Sequence, residues 1–288
     1  MSESTNRLRL AMIQMEVTEN KRKNISTAQE MLRQATEKGA QMAVLPEMFC
    51  CPYNTKSFPV YGEPEGGPCW QAMSEAAREN KLYLVAGSMP EFEEGRCYNT
   101  SYIFGPDGQQ IGKHRKMHLF DIDIEGGQHF QESDTLSAGD QATVFDTAFG
   151  KIGVAICYDF RFPELARLMV LDGARILIVP AAFNMTTGPR HWQLMFRSRA
   201  VDNQAFTIGV APARNPRASY VSYAHSIAVS PWGHVIKQMG IDPGIEIVEL
   251  DLREVIEIRA QLPLLKHRRT DLYHLKCKAN VRGKTKKE

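Results

Sequence analysis

A chain of 288 residues, 43% of them apolar, has room for one large domain with its own core; 35 Lys+Arg against 33 Asp+Glu leave a net charge of only +2. That composition excludes intrinsic disorder, and the even charge balance argues against a nucleic-acid partner, which needs a strongly basic face. No apolar run reaches the ~18–20 residues of a membrane span, and MSESTNRLRLAMIQM lacks the pattern of a secretory signal, so no membrane partner and a cytoplasmic location are expected.

In chain order, Leu8–Met15 alternates apolar and polar positions and predicts a half-buried strand. Ile25–Lys38 has helical spacing, with Ala28, Met31, Leu32 and Ala35 on one face. Met42–Leu45 is a short apolar run stopped by Pro46. Ala72–Asn80 reads as a helix and Tyr83–Gly87 as a strand. Tyr98–Phe104 and Gln110–Arg115 flank Gly105–Gly108 (GPDG), a hairpin signal. Thr143–Thr147 and Lys151–Ile156 flank a second turn at Gly150, and a helix is expected from Pro163 onward. Ile176–Val179, Ala205–Val210, Ser226–Val229, Val235–Gln238 and Ile245–Leu250 complete the strands, with helices at His191–Asp202 and Leu252–Gln261. This order mixes βα units with hairpins, so parallel and antiparallel pairing must coexist. About a dozen strands are too many for one simple twisted sheet. Two mixed sheets packed face to face with helices outside satisfy both patterns. Residues 1–275 read as one domain, and the basic stretch 276–288 as a solvated, disordered tail.

The six cysteines have irregular spacing without C-x-x-C, which disfavours a zinc site; reduced thiols are expected. Phosphate-loop, dinucleotide, H-E-x-x-H and G-x-S-x-G motifs are absent, so attention falls on cysteine. Cys157 ends the strand KIGVAIC and precedes a helix. A thiol at such an elbow sits at the tip of a sheet, where nearby N–H groups stabilise its thiolate and a carbonyl carbon can be attacked. The alternative is a buried cysteine closing a core strand. Glu47 follows the strand of AVLPEMF, at the rim where ligands gather; alone it reads as a plain surface glutamate. Lys116 follows the strand ending near Arg115; alone it reads as one member of a solvated basic run. Together the three supply a base, a nucleophile and an oxyanion partner.

The order Glu, Lys, Cys across separate loops resembles the nitrilase superfamily of carbon–nitrogen hydrolases. LPEMF, HRKMHLFD and ICYDFRFPELAR carry the resemblance, which continues through PAAFNMTTGPRHW, RSRAVDNQ, PARN and HRRTDLY and spans roughly residues 7–275. HLFDIDI, FQES and AFNMTTGPRHW are similar to the omega-amidase branch. The resemblance implies a four-layer α-β-β-α sandwich of the α+β class that pairs into a homodimer or larger assembly. It implies a small-molecule amide partner: the terminal amide of 2-oxoglutaramate or 2-oxosuccinamate, hydrolysed through a thioester. No cofactor or metal is implied, because the lysine supplies the positive charge. It assigns catalytic roles to Glu47, Lys116, Cys157 and Glu132, and the oxyanion to Lys116 and the N–H of Tyr158. Tyr53, Arg161, Phe183 and Thr187 match substrate-binding positions; Arg161 could fork onto a carboxylate or pair structurally with Asp159 or Glu164. His191 and Trp192 read as packing or capping residues, Arg197, Arg199 and Asp202 as mutual or intersubunit partners, and His225 as structural. Other open readings are a deaminated-glutathione amidase, an N-carbamoyl amidohydrolase or a nitrilase of the same superfamily, and a non-catalytic ligand-binding scaffold.

The chain departs from the family pattern in places. Met48 stands where a cysteine is common, with Cys50 and Cys51 following; these two are expected to shape the pocket or react with oxidants without replacing Cys157. Phe160 replaces a methionine, a mild volume change. Ala224 replaces a glycine, so a positive φ is not expected there. Glu125–Gly127 replaces a shorter loop near the expected pocket.

Overall fold

Residues 6–125 and 129–277 are described by the structure, a computed structural model. In chain order they form β1 (Arg7–Gln14), α1 (Lys21–Glu37), β2 (Met42–Val44), α2 (Ser57–Tyr61), α3 (Pro68–Asn80), β3 (Tyr83–Val85), β4 (Met89–Glu93), β5 (Arg96–Phe104), β6 (Gln110–Arg115), β7 (Asp121–Asp123), β8 (His129–Gln131), β9 (Thr143–Thr147) and β10 (Gly150–Val154). Then follow α4 (Pro163–Leu171), β11 (Ile176–Pro180), α5 (Gly188–Asn203), β12 (Phe206–Val210), β13 (Ile227–Val229), β14 (Val235–Gln238), β15 (Gly244–Asp251) and α6 (Arg253–Gln261). From residue 278 on, the expected basic tail lies outside the described residues, as do Gly126 and Gly127.

Two mixed sheets lie back to back. One runs β15–β1–β2–β3–β5–β4 with β6 also paired to β5, and the other runs β14–β13–β12–β11–β10–β9. Leu8, Leu10, Met12 and Val44 of the first sheet meet Ile152, Val154, Ile178 and Ile208 of the second in a dry middle layer. Each such side chain contributes about 1.5–3 kcal/mol on burial. The opposite face of the first sheet packs Ala11, Ile13, Ala43 and Leu84 against Ala28 and Leu32 of α1 and Met73 and Ala77 of α3. Leu177, Val179 and Ile227 of the second sheet meet Met169 of α4 and Trp192 and Phe196 of α5. The result is the expected α-β-β-α sandwich.

The differences from expectation have local causes. β1 is not half-buried: from Leu10 onward every residue is buried, because β1 lies between antiparallel β15 and parallel β2 with both faces covered. Helix α1 starts at Lys21 rather than Ile25, since the Asn20 side chain accepts from the Lys23 N–H at 3.0 Å and caps it. Strand β4 was obscured by Pro90, which a strand at the end of a sheet tolerates. Ala224 does adopt positive φ, at 61°, and His225 follows at 59°. The left-handed region costs an L residue roughly 1–2 kcal/mol. Here the surroundings impose it: the Trp192 indole donates to the His225 carbonyl at 2.7 Å, and the His225 ring bonds the Met239 carbonyl at 2.9 Å.

Candidate active site

Glu47 is placed by the crossing of two chain segments just beyond β2 and β3. Ser88 N–H donates to the Pro46 carbonyl at 3.2 Å, Phe49 N–H to the Ser88 carbonyl at 3.2 Å, and Met48 N–H to the Ser88 hydroxyl at 3.0 Å. Gly87 is required there: its φ is 51°, and a Cβ would fall 2.1 Å from the Pro46 carbonyl oxygen. The Glu47 carboxyl is thereby aimed inward and is almost wholly buried.

Lys116 follows β6 and is fully buried. Its backbone is pinned on both sides, donating to the Asn99 carbonyl and accepting from Gly139 N–H, each at 2.8 Å. Lys116 Nζ lies 2.9 Å from Glu47 Oε1 and 2.9 Å from Glu132. Burial works against the ammonium charge, but Glu132 and Glu47 outweigh it, so the group stays above its ordinary pKa. Glu132 is held in turn by the Tyr53 hydroxyl at 2.7 Å and the Phe120 N–H at 2.8 Å. The two Glu47 oxygens differ. Oε1 accepts from Lys116 and from Asn99 Nδ2 at 2.9 Å, with the Tyr53 hydroxyl oxygen, whose proton goes to the nearer Glu132, 3.3 Å away. Oε2 is buried with no aligned donor, although the Cys157 thiol lies close enough for the two groups to perturb each other. Burial pushes the Glu47 carboxyl above the usual carboxylate range; Lys116 pulls it down and Glu132 adds to the rise.

Strand β10 ends at Val154, two residues before the expected Ile156, and Cys157 opens a 3₁₀ turn through Arg161 with φ at 46°. A non-glycine residue in that region marks a strained position held by its surroundings. Asp159, fully buried, does the holding. One of its oxygens accepts from Ile156 N–H at 3.1 Å and bonds the His114 ring at 2.9 Å; the other accepts from Met117 N–H at 3.1 Å and His118 N–H at 2.9 Å, with the His118 ring at 2.8 Å. One carboxylate therefore ties the Cys157 turn to the segment that carries Lys116. Burial opposes its charge, but the bonds from His114 and His118 prevail and keep it well below its ordinary pKa. Burial raises the Cys157 thiol well above its ordinary value and Glu47 raises it further, against Lys116 and the Ala182 N–H. The resting sulfur thus holds its proton beside a base with a free oxygen. The N–H groups of Cys157 and Tyr158 open the turn and have no acceptor within it.

Glu47, Lys116, Glu132 and Tyr53 are therefore one hydrogen-bonded cluster with Cys157 against it. Arg161 forms no ion pair with Asp159 or Glu164: among the described residues no carboxylate reaches it, and its guanidinium meets His191 Nδ1 at 3.0 Å. It lies over the ring of Phe183 at 4.8 Å and of Tyr158 at 5.7 Å. The Thr187 hydroxyl bonds Asn184 Oδ1 at 2.9 Å at the start of α5. Trp192 and His225 pack and brace as expected, and Arg199 lies 3.5 Å from Asp202, while Arg197 instead donates to the Gly233 carbonyl at 2.9 Å. Asn99 and Tyr220 were not foreseen. The Tyr220 ring packs against Tyr53, tilted by 33° with centroids 4.4 Å apart, and its hydroxyl donates to the Ala182 carbonyl. A cavity of about 490 Å³ reaches Glu47 and Tyr53 past Met48, Cys51, Ala182 and Tyr220; Arg161, Phe183 and Thr187 lie outside its lining. Cys50 and Cys51 are buried free thiols, and only Cys51 of the two borders this cavity. Among the described residues no cluster of His, Cys, Asp and Glu is arranged to hold a metal ion, and no helix is long and apolar enough to cross a membrane.

A sandwich of two mixed sheets with a buried Glu–Lys–Cys cluster at the strand ends defines a class of amide-cleaving proteins, and the chain belongs to it: the carbon–nitrogen hydrolase family model matches residues 9–260. It is a hydrolase of carbon–nitrogen bonds. Within the family it is similar to omega-amidase NIT2 of Bos taurus, 47% identical over 270 residues, 94% of this chain and 98% of the relative. The Mus musculus omega-amidase NIT2 is 48% identical over the same shares. Among solved structures it is similar to Saccharomyces cerevisiae Nit3, a member of branch 10 of the nitrilase superfamily, with a TM-score of 0.85 at 41% identity, covering 92% of this chain and 97% of that one. The C. elegans NitFhit protein also gives a TM-score of 0.85, at 32% identity, covering 94% of this chain and 67% of that one.

Proposed function

We propose that the protein is an omega-amidase: it hydrolyses the terminal amide of 2-oxo dicarboxylic acid monoamides, such as 2-oxoglutaramate and 2-oxosuccinamate, to the 2-oxo acid and ammonia. The observation that carries the chemistry is the asymmetry of the Glu47 carboxyl, one oxygen held by the Lys116 and Asn99 donors and the other free beside a protonated thiol. Glu47 Oε2 takes the thiol proton as sulfur attacks the amide carbon. The oxyanion is stabilised by Lys116 Nζ and the Tyr158 N–H. Collapse of the tetrahedral centre breaks the C–N bond, and Glu47 returns the proton to the departing ammonia. Glu47 then deprotonates a water that attacks the thioester; the acid leaves and the thiol regains its proton. Glu132 and Tyr53 keep Lys116 charged and placed.

The far carboxylate of such a substrate needs a cation. Arg161, half-buried beside the Cys157 turn and without a carboxylate partner among the described residues, is proposed to receive it as a fork. The names of the similar relatives support the same substrate class. The test is product release from 2-oxoglutaramate and from deaminated glutathione, side by side with one preparation. At least a tenfold higher kcat/KM on the first is expected, roughly what one charged contact supplies; the reverse ranking would move the protein to the other branch.

A homodimer is part of the same proposal. Leu194 and Val201 of α5 and the adjoining Trp232 are 63%, 45% and 50% exposed, an apolar group that a second copy would cover. Sedimentation at micromolar concentration is expected to give at least twice the 32.5 kDa chain mass, and a monomer would overturn this. A cytosolic location is proposed because all six cysteines are free, as a reducing compartment leaves them.

A further inference from the structure

Arg161 is held through both its side chain and its backbone. Its guanidinium lies over the Phe183 ring at 4.8 Å, and Phe183 is itself braced edge-on by Trp192 at 5.0 Å. Its carbonyl accepts from Arg199 at 3.0 Å. Its one polar side-chain contact among the described residues is with His191 Nδ1, at 3.0 Å. A guanidinium can only donate, so that nitrogen must be the acceptor and the ring must be neutral, with its proton on Nε2. The surroundings enforce neutrality. Burial, then the charges of Arg161 and Arg190, hold His191 below its ordinary pKa. His191 also sits in the first turn of α5, where the helix dipole disfavours a cation.

We infer that His191 is a positioning residue for substrate choice: it anchors one arm of the Arg161 guanidinium, so that the remaining N–H groups face a substrate carboxylate in a fixed orientation. This rests on the proposed reading of Arg161. A fork held by a ring acceptor and an aromatic face loses little further entropy on binding, whereas a free arginine must be ordered by the substrate itself. His191 touches neither the reacting carbon nor the sulfur, so its contribution falls on binding and not on the chemical step.

The experiment compares His191→Leu, His191→Asn and Arg161→Met with the unaltered protein. It reads kcat and KM for 2-oxoglutaramate and the rate at which iodoacetamide, which has no carboxylate, alkylates Cys157. His191→Leu is expected to raise KM about tenfold, the effect of losing one hydrogen bond to a charged group, with kcat and alkylation within about a factor of two. His191→Asn, which offers Oδ1 where the ring offered Nδ1, should recover most of the loss. Arg161→Met should raise KM at least as far, and adding His191→Leu to it should raise KM no further, the non-additivity of residues acting as one unit. An unchanged KM in His191→Leu beside a raised one in Arg161→Met would overturn the inference and leave the Arg161 reading standing. An unchanged KM in Arg161→Met would overturn both. Loss of alkylation in His191→Leu would show general damage to the site and overturn the positioning role.

Discussion

Cys157→Ala is expected to lower amide turnover by roughly ten-thousandfold or more, the scale seen when a covalent nucleophile is removed. None of the neighbouring thiols Cys50, Cys51 and Cys69 has a carboxylate base bonded to its sulfur. Cys51 borders the cavity, but its sulfur faces Met48 Sδ at 3.8 Å, and burial raises its thiol well above the ordinary value with no carboxylate base bonded to it. Cys50 and Cys69 are buried beside it. Alanine keeps the Cβ and therefore the strained φ of 46°, and the cavity left by one sulfur costs about 1 kcal/mol. Folding should survive, with the loss confined to chemistry. Turnover of 2-oxoglutaramate and mass spectrometry after a small electrophile check this together: the parent should label at Cys157 and the variant at no comparable rate. Near-normal turnover in the variant would end the thioester mechanism.

The three strand-end residues were legible because each follows closely on a strand, and a strand delivers its last side chain to the rim of a sheet. AVLPE and KIGVAIC carry short apolar runs, whereas Lys116 follows the polar stretch QIGKHR, reads alone as part of a basic run, and was singled out by the resemblance. What was not legible is how the rim is closed. Asn99 lies within β5, a strand whose Asn99, Thr100 and Ser101 are all buried. Alternation alone treats such polar residues as solvent-facing, and only the partner, Glu47 Oε1 at 2.9 Å, explains the first of them. Asp159 invited pairing with Arg161, two residues on. Its real partners, His114 and His118, are 45 and 41 residues away, a closure that no local pattern encodes. Tyr220 reaches the site from the loop between β12 and β13 for the same reason. Ala224 shows a different limit. Propensity argues against its backbone conformation, and the Ala224 N–H bond to the Ser222 hydroxyl, together with the bonds of His225 to Trp192 and the Met239 carbonyl, overrides it. The short strands β7 and β8, three residues each, are too brief for any periodicity to declare.

Glu47→Gln is the second large effect expected: a fall of about 10³–10⁴ in kcat/KM, because one group serves as base in both halves of the cycle and as acid toward the leaving ammonia. Glutamine is the informative change. Its Oε1 can still accept from Lys116 and Asn99, so the cluster keeps its donors, while the atom facing the thiol becomes an N–H that cannot take a proton. Stability should move the other way. Burial raises the Glu47 carboxyl above its ordinary 4.5, so folding favours the protonated form. Whatever stability this group contributes is present below its unfolded pKa and is lost as pH rises through the folded value. A neutral isostere removes that loss, and Glu47→Gln should unfold at an equal or higher denaturant midpoint at pH 7. The same raised pKa fixes the acid limb of the parent enzyme. Activity needs the carboxylate, so kcat/KM should fall as pH drops, with its midpoint above 4.5, and Glu47→Gln should flatten that limb in its residual activity. The alkaline side should show no loss from Lys116, whose charge the two carboxylates hold beyond its ordinary range. Two outcomes would sink the assignment: near-normal turnover in Glu47→Gln, or an acid limb that persists unchanged in it, since the titrating base would then be some other group.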